Sequence, residues 1–339
     1  MVAVSLLVLA GGLWALWPRE RPAGAPAPEA NAAAPATQKI RAPNTAESLR
    51  VGARWGSGKG ELGHKRQQEG AAEGPMSLVA GKDGDTWVLD QVNGRIVHFD
   101  PAGRAASEIK VAETAQDLAI GPHGNLYVLD RLGKAEVAVF DAAGTPIVTD
   151  AVVGGPITEG GAVTGIFVGE NGVFLEREHA DNVRIAAADG RFDSDRPVVP
   201  GRPTRDGKGY VRVAVKDHRS QLAVVTAYGL DGAERWKHTV AFPRSILHII
   251  TLDTDLAGHA YVVADVAEEA ASPQHELRNV ATVVARLALA DGADRGAITM
   301  QAPSVPDEVF RPITVTDDGQ VVQMLPSNEG VRIATYRFP

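Results

Sequence analysis

Leu78–Asp90 reads LVAGKDGDTWVLD, and forty positions on, Leu118–Asp130 reads LAIGPHGNLYVLD. The glycines, the aromatic at Trp87 and Tyr127, and the V-L-D ending coincide. Each copy is followed by a second alternating run that closes in Asp-x-x-Gly, RIVHFDPAG ending at Gly103 and EVAVFDAAG ending at Gly144. Apolar residues at period two, rich in β-branched and aromatic types and separated by Gly and Asp turns, are the pattern of short antiparallel strands. One unit is therefore four strands joined by tight turns.

Weaker copies follow. The first turn recurs near Gly172, Gly209, Gly258 and Gly319, and the closing turn at Asp189-Gly190, Asp231-Gly232 and Asp291-Gly292. Six units of about 40 to 50 residues have the period of four-stranded propeller blades. The expected fold is all-β, a six-bladed β-propeller. The only stretch that reads as an interrupting helix is Glu268–Leu277. The sixth unit is one strand short: after Pro312–Val315, Gln320–Leu325 and Val331–Phe338 the sequence stops. The alternating run LRVGARW, Leu49–Trp55, is expected to supply the missing outer strand and close the ring, because closure removes the open edge of a linear stack. Truncation to about Pro43 is expected to be tolerated on this reading, and truncation to Trp55 is not.

The rest of the chain divides around this propeller, assigned to residues 46–339. Val2–Trp17 is uninterruptedly apolar, so residues 1–18 read as a membrane anchor or signal segment, followed by Arg19, Arg21 and a Pro/Ala-rich linker over 19–45. A small-residue cleavage site could lie at Ala30–Ala32. The expectation is a propeller outside the cytoplasm, membrane-anchored or secreted, and monomeric. The 339 residues contain no cysteine, which excludes disulfides, thiolate metal sites and a cysteine nucleophile. A net charge of −8 without a Lys/Arg run gives no footprint for nucleic acid.

The run from Trp55 through NGRIVHFD, Asn93–Asp100, to Gly144 resembles the NHL repeat of six-bladed propellers. The resemblance implies a scaffold that binds proteins or ligands. A weaker similarity to gluconolactonase-like propellers implies another function, a metal-dependent lactonase or related hydrolase with a divalent cation such as Ca²⁺ at the central opening. Glu73, in E-G-P, would be its carried-over metal ligand. The Asn-Gly or Asp-Gly entries of that family are not found; the comparable positions read Asp117-Leu118, Thr164-Gly165 and Arg311-Pro312.

Other chemical motifs do not survive their context. WGSGKGELG, Trp55–Gly63, contains G-x-G-x-x-G, but a polar stretch ending in Gly-Pro follows it instead of a crossover helix, so no nucleotide or other cofactor is expected. The histidines make no H-x-x-x-H pair, Ser57 lies outside a G-x-S-x-G elbow, and no Asp-x-Asp pair, at 83/85, 193/195 or 253/255, continues into a calcium loop.

Strand order places the connections on two faces. Turns between first and second strands, and between third and fourth, are short throughout. The long connections, 154–163, 176–182, 266–279 and 301–310, all belong to the other face, where length concentrated on a rigid scaffold marks a binding surface. They carry Glu159, Glu176, Glu178, Asp181, Glu268, Glu269, Glu276, Asp307 and Glu308 against Arg177 and Arg278. A net-acidic face is expected, with no catalytic residue, docking a basic protein partner or ligand.

Overall fold

The computed structural model describes residues 37–339 except 44, 46, 188, 189, 218, 219, 270–275 and 306. The apolar run, most of the linker, the Ala30–Ala32 site and Asp189 lie outside the described residues. Among those described, no helix is long and apolar enough to cross a membrane.

Among the described residues, six blade sheets, each with four antiparallel strands, follow one another along the chain, and one of them carries an additional parallel strand. Blade 1 holds Ser77–Ala80, Thr86–Asp90, Arg95–Phe99 and Ala105–Lys110; blade 2 holds Asp117–Ile120, Leu126–Asp130, Glu136–Phe140 and Pro146–Ala151. Blade 3 runs through Val163–Gly169, Gly172–Arg177, Asp181–Ala186 and Val198–Val199, and blade 4 through Arg202–Pro203, Gly209–Val215, Leu222–Gly229 and Glu234–Ala241. Blade 5 is the longest, with Ser245–Thr254, His259–Glu269, Leu277–Ala288 and Asp294–Met300. Blade 6 has only Ile313–Val315, Val321–Pro326 and Gly330–Tyr336 from the C-terminal part of the chain. Its fourth, outermost strand is Ser48–Arg54, paired antiparallel with Gly330–Tyr336. The ring closes as the alternation of LRVGARW requires.

Apolar clusters between neighbouring sheets hold the blades together. Val51 and Ala53 of the closing strand pack with Val322 and Ile333 of blade 6 against Leu78, Val88 and Phe99 of blade 1. Equivalent clusters join blades 1 and 2, 2 and 3, 4 and 5, and 5 and 6. The turn chemistry repeats with the blades. Asp100 accepts from the amides of Ala102 and Arg104, both at 2.9 Å, while Gly103 sits at φ +74°; Asp141 does the same for Ala143 and Thr145, with Gly144 at φ +87°. The aspartate satisfies amides that a two-strand turn leaves orphaned, and glycine alone accepts the left-handed backbone cheaply.

Two expectations change. Thr37–Lys39, assigned by sequence to the linker, pairs in parallel with Glu234–Ala241 as a fifth strand of blade 4, and Ile40 is buried in the cluster between blades 4 and 5. The chain then crosses blade 5, where Thr299 donates its amide to Pro43 and its hydroxyl to Ala42. A Pro/Ala-rich composition says nothing about where such a tract ends; Ile40 was the apolar residue that marked it. The second change concerns Glu268–Leu277. Glu268 and Glu269 end one long strand and Leu277 begins the next, and the two strands pair in blade 5, so both ends of that stretch are strand.

Candidate functional site

The glycine-rich loop at Trp55–Gly63 is an architectural joint. Gly56 donates to Leu62 O at 2.9 Å, Leu62 donates to Arg54 O at 3.0 Å, and Gly63 donates to the buried Asp90 carboxylate at 2.8 Å. Carbonyls of Ser57, Gly58 and Glu61 accept from the Arg95 guanidinium at 3.2, 3.1 and 2.9 Å, and Asn93 Nδ2 donates to Gly56 O at 2.9 Å. A phosphate cradle needs converging amides. This loop turns its carbonyls onto a cation, the reverse polarity. The Asn93 and Arg95 of NGRIVHFD are what seat it.

At the ring axis, charged side chains converge. The connection into blade 6 lies along the inner strand of blade 1, with Phe310 and Arg311 donating their amides to Met76 O at 2.7 and 2.9 Å. That course carries the Arg311 guanidinium onto Asp117, with contacts of 2.8 and 2.5 Å, and onto Ile166 O at 2.6 Å. Asp117 is fully buried and also accepts from Ser77 Oγ at 2.8 Å and from the Ile166 amide at 3.0 Å. Arg205 bridges Asp253 and Asp317 at 3.1 and 3.0 Å. Arg202 meets Glu176 at 2.6 Å and donates to Leu252 O at 2.8 Å. The Phe167 ring lies under two of these cations, 4.3 Å from Arg202 and 4.9 Å from Arg311, a cation–π arrangement.

The electrostatics follow from those pairs. Burial opposes the charge on Glu176, but Arg202 and the hydrogen bond from His179 outweigh it and hold the carboxyl well below its usual range. Burial likewise opposes the charge on Arg311, and Asp117 reverses the effect, raising its pKa. A carboxylate whose pKa falls on folding adds stability above its unfolded pKa of about 4.3 and loses it as pH falls through the folded value. Glu176 therefore contributes to the loss of stability in acid. Arg202→Met is expected to flatten the acid side of the urea-stability profile below about pH 4. An unchanged profile would remove Glu176 from the acid response.

The donor set around this axis does not fit a divalent cation. Asp117, Glu176 and Asp253 are each already bonded to a guanidinium, and among the described residues no three His, Cys, Asp or Glu side chains come together as a cation site. Glu73 sits away from them, on the two-residue strand Ala72–Glu73 that pairs with Asp307–Glu308, and its carboxylate bonds Lys65 at 3.3 Å and Gln67. Asp117, Thr164 and Arg311, the positions at which the gluconolactonase pattern fails, are nonetheless inward-facing: Asp117 holds Arg311, and Thr164 donates to Glu176 at 3.0 Å. Each Asp-x-Asp pair has at least one member in an ion pair, Asp85 with His98, Asp193 with Arg184, Asp253 with Arg205 and Asp255 with His259.

By strand order the inter-blade and second-to-third connections share one face, but 176–182, expected as a long connection, is a tight turn between the paired strands Gly172–Arg177 and Asp181–Ala186. Five of the nine carboxylates assigned to this face have cationic partners. Glu176 meets Arg202, Asp181 meets Arg177, Glu268 meets Arg244, Glu276 meets Arg278, and Asp307 meets His64 at 3.4 Å. Sequence counting missed Arg202, Arg244 and His64 because they enter from a strand, from the short connection between blades 4 and 5, and from the Trp55–Met76 connection. Glu159, Glu178 and Glu308 are exposed and form no ion pair among the described residues. Glu269 is partly buried at the end of its strand.

Each face carries a cavity at the centre. Among the short turns, one of about 410 Å³ is lined by Trp87, Phe167, Arg205 and Asp253. On the long-connection face, one of about 550 Å³ lies between Glu176, Asn182, Arg202 and Arg212 on one side and Ile249 and Phe310 on the other. Its rim includes His179, held with Glu178 at positive φ, 53° and 52°, in the tight turn closed by Ala180 N to Arg177 O at 2.9 Å. Such turns favour Asn-Gly, so this Glu-His pair is a strained choice. It brings His179 Nδ1 within 3.2 Å of Glu176.

No family model and no curated protein matches this chain. Among solved structures it is similar to the Kuenenia stuttgartiensis hydrazine synthase, 13% identical over 73% of this chain and 72% of that one, with a TM-score of 0.50. A DUF4221 family member from Bacteroides vulgatus is 11% identical over 87% of this chain and 98% of that one, with a TM-score of 0.47. BamB from Moraxella catarrhalis is 10% identical over 86% and 100%, with a TM-score of 0.36. At these identities the likeness concerns the fold alone, and the function has to be argued from the site.

Proposed function

We propose that this chain is an NHL-type propeller acting as a non-catalytic binding module, docking a protein partner on the face of the long connections. The observation that carries the reading is the occupied axis: the carboxylates that converge there are bonded to Arg311, Arg202 and Arg205. A catalytic centre needs groups with free valence aimed at substrate. Here the converging charges are spent on one another, which stiffens the scaffold that presents the loops. The apolar run Val2–Trp17 and the Pro/Ala-rich tract after it support export or membrane tethering of the propeller.

Glu159, Glu178 and Glu308 are exposed and outside any salt bridge among the described residues, and they favour a basic partner. Replacing all three by Lys is expected to weaken binding of a decalysine probe by about tenfold at low salt, since steering charges act mainly through long-range attraction. The same reversal at Asp83, Glu170 and Glu234, exposed on the short-turn face, should have a much smaller effect. Equal losses from the two triple variants would show net charge alone at work and sink the assignment to this face.

A further inference from the structure

Blade 4 lacks most of its innermost strand. The innermost strands elsewhere are Ser77–Ala80, Asp117–Ile120, Val163–Gly169, Ser245–Thr254 and Ile313–Val315, whereas that of blade 4 is only Arg202–Pro203. Those two residues pair with Val211 and Tyr210 of the next strand. The next strand continues to Val215, paired along its whole length with Leu222–Gly229 on its other side. Over Arg212–Val215 its inner edge has no backbone partner among the described residues.

The ladder fixes which groups are left over. Lys216 donates its amide to Leu222 O, and Gly209 O accepts from Thr204 on the inner side. In an antiparallel ladder successive residues point their main-chain groups to opposite edges. Odd-numbered residues therefore face inward, and the N–H and C=O of Val213 and Val215 open onto the 550 Å³ cavity, which Val211 through Val215 line in unbroken succession. A second orphan lines the same cavity: Asn182 is 1% exposed and its Oδ1 has no hydrogen-bond partner.

We infer that this cavity receives an extended segment of the partner protein, which adds to blade 4 as its missing innermost strand. The inference rests on the long-connection face being the docking face and specifies how docking occurs there. An open edge of about four residues accepts about 13 Å of strand, and main-chain pairing supplies the affinity while alternate side chains supply selectivity. Val213 and Val215 pack toward the cluster between blades 4 and 5, beside Ile249, so residues opposite them should be apolar. Arg212 points to the other side, is exposed, and meets no carboxylate among the described residues. The partner residue opposite Arg212, which in an antiparallel strand directly follows the one opposite Val213, should be acidic.

The probe is the peptide acetyl-Val-Ser-Val-Asp-amide, added to the full chain, with its valines opposite Val215 and Val213 and its Asp opposite Arg212. Binding is expected to slow hydrogen exchange of the Val213 and Val215 amides at least tenfold. N-methylation at the valines should abolish binding, and N-methylation at Asp and Ser should be tolerated, because only one set of peptide amides faces the edge. Arg212→Glu should weaken binding about tenfold, with rescue when the peptide carries Lys in place of Asp. Parent peptide that fails to bind at millimolar concentration, equal binding of both methylated analogues, or Val213 and Val215 amides equally protected before and after addition would each overturn the inference. None of these readings depends on Glu159, Glu178 or Glu308, so the charge-reversal result stands or falls separately.

Discussion

A chain beginning at residue 56 is expected to lose cooperative folding. Removing Ser48–Arg54 strips blade 6 of its outer strand, exposes Val331 and Ile333, and withdraws Val51 and Ala53 from the cluster that joins blade 6 to blade 1. Burial of a valine contributes about 1.5–3 kcal/mol, and each ladder hydrogen bond exchanged for water costs a further ~0.5–1.5 kcal/mol. Arg50 adds ties to blade 1, donating to Thr86 Oγ1 at 2.7 Å and Asp85 O at 3.0 Å. The loss approaches the 5–15 kcal/mol by which domains are usually stable. A chain beginning at residue 44 should fold with a lowered melting temperature, because it forfeits the parallel strand Thr37–Lys39 and the buried Ile40, worth about 2–3 kcal/mol. Circular dichroism melts of the two truncations read this directly. Identical melting temperatures would contradict closure by Ser48–Arg54.

The fold was legible because its determinants are local and repeat. The left-handed glycine of the Asp-x-x-Gly turn and the aspartate that caps its amides must lie a fixed number of residues apart, so Asp100–Gly103 and Asp141–Gly144 announce the turn in any reading of the chain. Closure was legible for a related reason: one unit was a strand short, and an unpaired alternating run lay at the other end. The centre was not legible. Arg311 and Asp117 are separated by 194 positions and meet only because the 301–312 connection runs along blade 1. No spacing rule encodes that course. Acidic residues on the long connections were identified, but their partners were not, since Arg202 enters from the inner strand of another unit and Arg244 from a short connection that length alone did not single out. The open Val213–Val215 edge depends on how short Arg202–Pro203 is, and Pro203 was the hint, a residue that donates no ladder hydrogen bond.

Arg311→Met is expected to cost about 3–5 kcal/mol, the penalty for leaving a buried charge without its partner. Asp117, fully buried in the intact chain, would retain hydrogen bonds from Ser77 and the Leu118 and Ile166 amides, but its charge would lose its cation. Arg311→Lys should recover only part of the loss, because an ammonium cannot span both Asp117 oxygens and Ile166 O in one plane. The decisive variant is Asp117→Asn with Arg311→Met. If the two charges exist to satisfy each other, the double substitution should fall short of the summed single losses by about 1–3 kcal/mol in urea unfolding. Strict additivity would mean that Arg311 acts through Phe167 and Ile166 O alone, and that Asp117 needs only its three neutral donors. Coupling of the expected size would instead show that a residue on the last inter-blade connection stabilises the inner strands of blades 1, 2 and 3 together. The long connections would then be fixed at their roots by the same charges that fill the axis, which is the rigidity a docking face requires.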